Sequence, residues 1–148
     1  MQLALGMELF DVVVRYEIAL WNVVDGALAD AGAVSLAQLQ ALTIVEEMSG
    51  AARVLDIAEG IGVTIGAASK LVDRLERSEL AERRPNPDDR RSSLIALTDD
   101  GEAAYRKAAG VRSSVLAQVL EPDVAASAVA ALAALQTRLD GFRKEVRP

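Results

Sequence analysis

The sequence predicts a mainly α-helical fold with a small β-hairpin, and three observations carry that prediction. Apolar residues recur at three- and four-residue steps over most of the 148 residues. Two such stretches, Val54 to Gly60 and Thr64 to Ser78, are separated only by Ile61, Gly62 and Val63, which is a tight turn between helices. Two short extended segments then flank a charged, proline-bearing tip, PNPDDRRS. Helix, turn, helix and hairpin together read as a winged helix-turn-helix over 35–98. The flanking segments, 1–34 and 99–148, read as a helical dimerisation region, the whole forming one interwoven unit.

Composition narrows the chemistry. The chain contains no cysteine and no histidine, which excludes disulfides, thiol redox sensing, Cys/His zinc sites and any histidine base. No cofactor and no metal site is expected. The acid pairs Asp88/Asp89 and Glu46/Glu47 point in different directions and lack a nucleophile or base to complete a site, so no enzyme is expected either. The first residues lack a basic n-region, and no stretch approaches the roughly 20 apolar residues that span a bilayer. A cytoplasmic protein without a membrane partner is expected.

The net charge of −6 runs against a nucleic-acid partner until its distribution is considered. Residues 1–50 carry seven acids and one base, whereas 51–98 carry eight of each and 99–148 seven of each. Within the neutral middle, Arg83, Arg84, Arg90 and Arg91 lie close together and predict a local basic patch.

The first helix is predicted from about Leu9 to Asp30, with Phe10, Val13, Val14, Tyr16, Leu20, Val23, Val24 and Leu28 on a wide apolar face. Either that face is buried within one subunit or it also packs against a second chain. Gly32 ends it, and Ser35 is suited to cap a helix from Leu36 to about Met48. Next comes the short helix Val54–Gly60, with Val54, Leu55, Ile57, Ala58 and Ile61 as its apolar contacts. Gly60 and Gly62 bracket the turn, where a glycine supplies positive φ.

Thr64 is suited to cap the second helix, whose buried stripe is predicted as Ile65, Ala68, Leu71, Val72 and Leu75. Its opposite face holds Gly66, Ala67, Ser69, Lys70, Asp73, Arg74 and Arg77. Small residues near the start let a backbone approach a groove, and donors beyond them reach bases and phosphates. The alternative is a solvated face with pairs such as Asp73–Arg77. Strands are predicted over Leu80–Arg84 and Ser93–Leu97; in the tip, Asp89 stands two residues before Arg91 and is expected to pair with it and orient it for a minor groove.

Thr98 is suited to cap a further helix with Asp99, Asp100 and Glu102 in its first turn, which Gly110 is expected to weaken midway. Pro122 fits the first turn of the last helix, where Val124, Val129, Leu132, Leu135, Leu139 and Phe142 form an apolar ridge.

The segments IAEGIGVTIGAASKLVDRLERSEL and DDRRSSLIALTDDG resemble the MarR family of winged-helix regulators, and the likeness extends over nearly the whole chain. The family's wing pattern falls on Asp89, Arg91, Leu97, Thr98 and Gly101. The resemblance implies a sequence-specific transcriptional regulator, most often a repressor, acting as a homodimer on a pseudo-palindromic operator in double-stranded DNA. By position it assigns Thr64, Gly66, Ala67, Ser69 and Lys70 to a major groove, Arg74 to a phosphate, Arg90 to a phosphate or the minor groove, and Arg91 to the minor groove. It also implies release by a small aromatic effector, for which Tyr16, Trp21 and Leu28 are the candidate lining; the alternative is that residues at this helical spacing are ordinary core. Two departures stand out: Glu79 occupies the position where the family often has glycine, and Gly66 and Ala67 replace larger or hydroxyl side chains. A second function class is a winged-helix protein-interaction module that has lost DNA binding, favoured by the acidic charge and the small recognition residues.

Overall fold

The computed structural model describes residues 2–146, so residues 1, 147 and 148 of the expected dimerisation region lie outside it. Eight elements follow in order: α1 (Gln2–Asp30), α2 (Leu36–Glu47), α3 (Val54–Ile61), α4 (Ile65–Arg77), β1 (Ala81–Pro85), β2 (Ser93–Leu97), α5 (Asp99–Val119) and α6 (Pro122–Val146). The chain divides into two compact units, one through residue 113 and one from residue 114.

The core of the first unit is the helix-turn-helix itself. Leu42 and Val45 of α2, Ile57 of α3, Val72 and Leu75 of α4 and Ile95 of β2 are closed off from solvent, with Ala41, Ala52, Ala58, Ala68 and Ala81 between them. Alanines at the crossings let the short helices approach closely, so aliphatic side chains fill the buried space, with Tyr105 of α5 packed against its margin. Leu55, expected among these contacts, faces outward instead.

Each helix end is closed by its own residues. Ser35 and Gln38 form a reciprocal capping box on α2, and Asp25 of α1 accepts from the Leu36 N–H at 2.7 Å. At the α3–α4 turn, Gly62 alone takes positive φ (80°). Gly60 stays within α3, and its lack of a side chain makes room for Ile44, since a Cβ there would stand 2.6 Å from Ile44 Cδ1.

The hairpin is antiparallel, with Ala81 opposite Leu97 and Pro85 opposite Ser93. Its first strand starts one residue later than expected, because Leu80 still belongs to the helix end: its N–H reaches the Leu75 carbonyl at 2.9 Å. Pro85 is tolerated as the last paired residue, where the ladder needs no further donor. A bridge between Ala52 and Ile95, closed by an Ile95 N–H···O bond of 2.7 Å, adds the α2–α3 connector to the wing's edge.

α1 begins seven residues earlier than expected, since one glycine, Gly6, does not stop a helix in which each added residue adds a hydrogen bond. Its end is closed by Gly32, and Lys107 of α5 donates to the Gly32 carbonyl at 3.0 Å. Of its wide apolar face only Val24 and Leu28 are fully buried. α5 runs unbroken through Gly110. In the second unit, α6 is capped by Glu121, whose carboxylate accepts from the Val124 N–H at 2.9 Å. Its whole predicted ridge from Val124 to Phe142 is exposed. Among the described residues, no single helix is long and apolar enough to cross a membrane.

Candidate nucleic-acid interface

The second helix of the helix-turn-helix, α4, is set by its two ends. At the start, Thr64 Oγ1 accepts from the Ala67 N–H at 3.2 Å, which satisfies an orphan donor of the first turn. At the finish, Glu79 takes φ of +58°. Its N–H reaches the Glu76 carbonyl at 2.9 Å, while the Leu80 N–H reaches that of Leu75. This is a Schellman end built on a glutamate. The departure from glycine at this position therefore leaves the left-handed cap in place.

Ala68, Val72 and Leu75 hold α4 on the core, and Thr64, Gly66, Ala67, Lys70, Arg74 and Arg77 are exposed, with Ser69 half-buried. Ile65, predicted in the buried stripe, is 58% exposed. The period alone put it there, but the first turn of α4 projects past the helices that cover the stripe. Asp73 does not pair with the Arg77 side chain. Its carboxylate takes Arg83 of β1 at 2.9 Å, and Glu76 takes the other guanidinium nitrogen. Arg77 donates to the Asp73 backbone carbonyl instead, at 3.2 Å.

That contact revises the predicted basic patch. Arg83 is neutralised by two acids of α4, and Arg84 is held by Glu82 at 2.5 Å. Among the described residues, Lys70, Arg74, Arg77, Arg90 and Arg91 form no ion pair. The cationic surface is thus the outer face of α4 together with the wing tip.

The tip is folded by short polar side chains. Asn86 donates to Ser92 Oγ at 2.8 Å and accepts from the Asp88 N–H at 3.0 Å. Asp89 Oδ1 accepts from the backbone N–H of Arg91 at 2.9 Å. The expected side-chain pairing of Asp89 with Arg91 is not formed; the carboxylate fixes the backbone from which the guanidinium departs, in a local turn of the kind Asp favours. Thr98 anchors the other end of the wing, donating to the Glu79 carbonyl at 2.6 Å and accepting from the Gly101 N–H at 3.0 Å.

Sequence reasoning missed the Arg83 contact, although two acids at i and i+3 facing the strand that follows were a signal for it. At the base of α3, Arg53 donates to Asp56 through its backbone (2.8 Å) and guanidinium (2.8 and 3.0 Å). The guanidinium hydrogen bond holds the Asp56 carboxyl below its ordinary range, against a weaker opposing effect of burial.

The candidate effector residues do not share one environment. Tyr16 is exposed, Trp21 half-buried and Leu28 closed off from solvent. A depression near the wing is lined instead by Val45, Glu46, Ser49, Arg84, Leu97 and Glu102 among others.

Comparison with known proteins agrees with this geometry. Residues 34–93 match the MarR family. The chain is 27% identical over 114 residues to the HTH-type transcriptional regulator YfiV of Bacillus subtilis strain 168, covering 75% of this chain and 71% of that one. Further curated relatives are matched over little more than half of their own length. A MarR family regulator from Rhodococcus sp. RHA1 shares the fold at TM-score 0.78 and 21% identity, over 88% of this chain and 94% of that one. CouR of Rhodococcus jostii RHA1, solved both on a 23-mer DNA duplex and with p-coumaroyl-CoA, superposes in its DNA complex at TM-score 0.74 and 23% identity, over 84% of this chain and 89% of that one. Over residues 34–93, which hold α3, α4 and the wing tip, the chain thus matches the MarR family, and its relatives by sequence and by fold are winged-helix transcriptional regulators of that kind.

Proposed function

We propose that two copies of the chain form a homodimer that binds a pseudo-palindromic operator and represses the adjoining gene. The observation that carries this reading is the coincidence of an exposed, small-residue α4 start with five cations that form no ion pair among the described residues. In the bound state the start of α4, through Thr64, Gly66, Ala67, Ser69 and Lys70, enters a major groove. Arg74 and Arg90 lie on phosphates, and Arg91 reaches the adjacent minor groove with its backbone held by Asp89.

Dimerisation is supported by the apolar surface outside the winged helix, which supplies the frame of residues 1–34 and 99–148. Phe10 is 67% exposed and Val129 68%, and the first half of α1 also exposes Leu5, Met7, Val12, Val13 and Val14, with Glu8, Asp11 and Arg15 on one polar stripe. An apolar face that wide needs neighbours over most of the helix circumference, with the polar stripe left to solvent. A dyad between two reading heads sets half-sites about one helical turn, or roughly 10 bp, apart.

CouR's ligand points to a small aromatic acid or its thioester as the effector class. Release requires that such a ligand bind one spacing of the heads better than another, because equal affinity shifts nothing.

The test is fluorescence anisotropy against DNA from upstream of the protein's own gene at several salt concentrations. Specific binding that random DNA does not displace, at least tenfold weaker for Arg91→Ala, supports the reading. Arg90→Ala is expected to reduce the salt slope by about one, and p-coumaroyl-CoA is the first effector probe. If Arg91→Ala and Lys70→Ala leave an otherwise functional protein unaffected, the winged helix serves as a protein-interaction module instead.

A further inference from the structure

Ile65 opens α4 and is 58% exposed, and Val63 just before it is 41% exposed. Beside Ile65, Gly66 leaves open space, since a Cβ there would meet nothing within 4 Å. Ile65 and Ser69 stand one turn apart on α4, as do Gly66 and Lys70, so the four form one strip. The strip is apolar and shallow at its N-terminal end and hydrogen-bonding at its other end. Around it, Lys70, Arg74, Arg77, Arg90 and Arg91 form no ion pair among the described residues.

The cationic surround is complementary to a polyanion, yet a sec-butyl side chain gains nothing from a phosphate. The apolar group that a B-DNA major groove presents is the C5-methyl of thymine. We propose that Ile65, backed by Val63, packs on a thymine methyl in each half-site, so that the first turn of α4 reads sequence by methyl contact while Ser69 and Lys70 supply the hydrogen bonds. This rests on the DNA-binding reading above and adds to it a specificity residue and the base it selects. The open space at Gly66 lets the backbone come close enough for a side chain of Ile65's length to reach the groove floor.

The experiment begins with selection of tight-binding duplexes from a randomised library by the intact protein. In the best duplex each thymine is then replaced by deoxyuridine, which removes only the C5-methyl. At one symmetric position, wild-type affinity is expected to fall about fourfold for each methyl lost. Ile65→Ala is expected to bind the thymine and deoxyuridine duplexes equally, while Ile65→Leu retains discrimination. Because Ile65 is exposed, the alanine variant is expected to melt with the wild type, which separates the effect from misfolding. Deoxyuridine tolerated at every position, or full discrimination surviving in Ile65→Ala, overturns the proposal while DNA binding stands. A library that yields no enriched sequence overturns the DNA-binding reading, and an apolar protein partner then becomes the occupant of this surface.

Discussion

Arg83 of β1 and Asp73 of α4 meet at 2.9 Å, and Glu76 binds the same guanidinium from the next turn of the helix. The wing is thereby tied to the recognition helix through one arginine with two partners. Both acids lie on α4, so the contact sets how the hairpin leans relative to the helix. A dimer that uses a major and a minor groove together requires that angle to be constant.

Replacing Arg83 by methionine keeps most of its apolar length and removes both ion pairs. The pairs are partly solvated, so the stability loss is expected to be roughly 1 kcal/mol, or about 2–4 °C in Tm. DNA affinity is expected to fall more than stability does. In a double-mutant cycle, Arg91→Ala is expected to cost less in the Arg83→Met background than in wild type, measured by anisotropy. Strict additivity would show that the wing angle does not depend on Arg83.

Glu79 holds positive φ in a position that glycine adopts without steric cost. Glu79→Gly relieves the left-handed strain and gives back part of the gain as unfolded-chain entropy. A net stabilisation of about 0.5–1 kcal/mol is expected in urea unfolding. A loss of stability would mean that the glutamate side chain makes a compensating contact.

Gly101 and Gly110 both lie in α5 and are expected to respond in opposite directions. A Cβ on Gly101 would stand 1.8 Å from the Leu80 carbonyl oxygen, whereas one on Gly110 would meet nothing within 4 Å. Gly101→Ala is expected to destabilise by on the order of 3 kcal/mol, since backbone must move. Gly110→Ala is expected to stabilise by about 1 kcal/mol through helix propensity. Thermal melts of the two variants check both.

Asp56 gives a pH dependence of known sign. Its carboxyl titrates below the ordinary aspartate range, chiefly because Arg53 hydrogen-bonds to the charged form. A depressed folded-state value means the interaction contributes stability above the unfolded value and loses it as pH falls through the folded one. Asp56→Asn is therefore expected to be less stable than wild type at pH 7, with the two curves converging in the acid limb below about pH 4. Parallel curves down to pH 2 would assign the stabilisation to another group.

The caps at Ser35, Thr64 and Thr98, the turn at Gly62, and the paired segments of the hairpin were legible because each depends on residues within a few positions of one another. The exposure of Ile65, the Arg83 contact and the route of the Asp89 carboxylate were not. A helical period identifies a face but does not say how far neighbouring elements extend over it, and an arginine beside several acids has no preferred partner until the strand is placed.

The sequence by itself determined the order of elements, the position of the recognition helix and the identity of the wing, because capping, turn conformation and apolar periodicity are local properties of the chain. Only the tertiary structure decided which cations remain free. Arg83 and Arg84 are drawn onto Glu76, Asp73 and Glu82 when the hairpin lies against α4, whereas Lys70, Arg74, Arg77, Arg90 and Arg91 are left without an ion pair among the described residues. Direct ion pairing needs oppositely charged groups within about 4 Å, and those distances exist only once the hairpin and helix have packed.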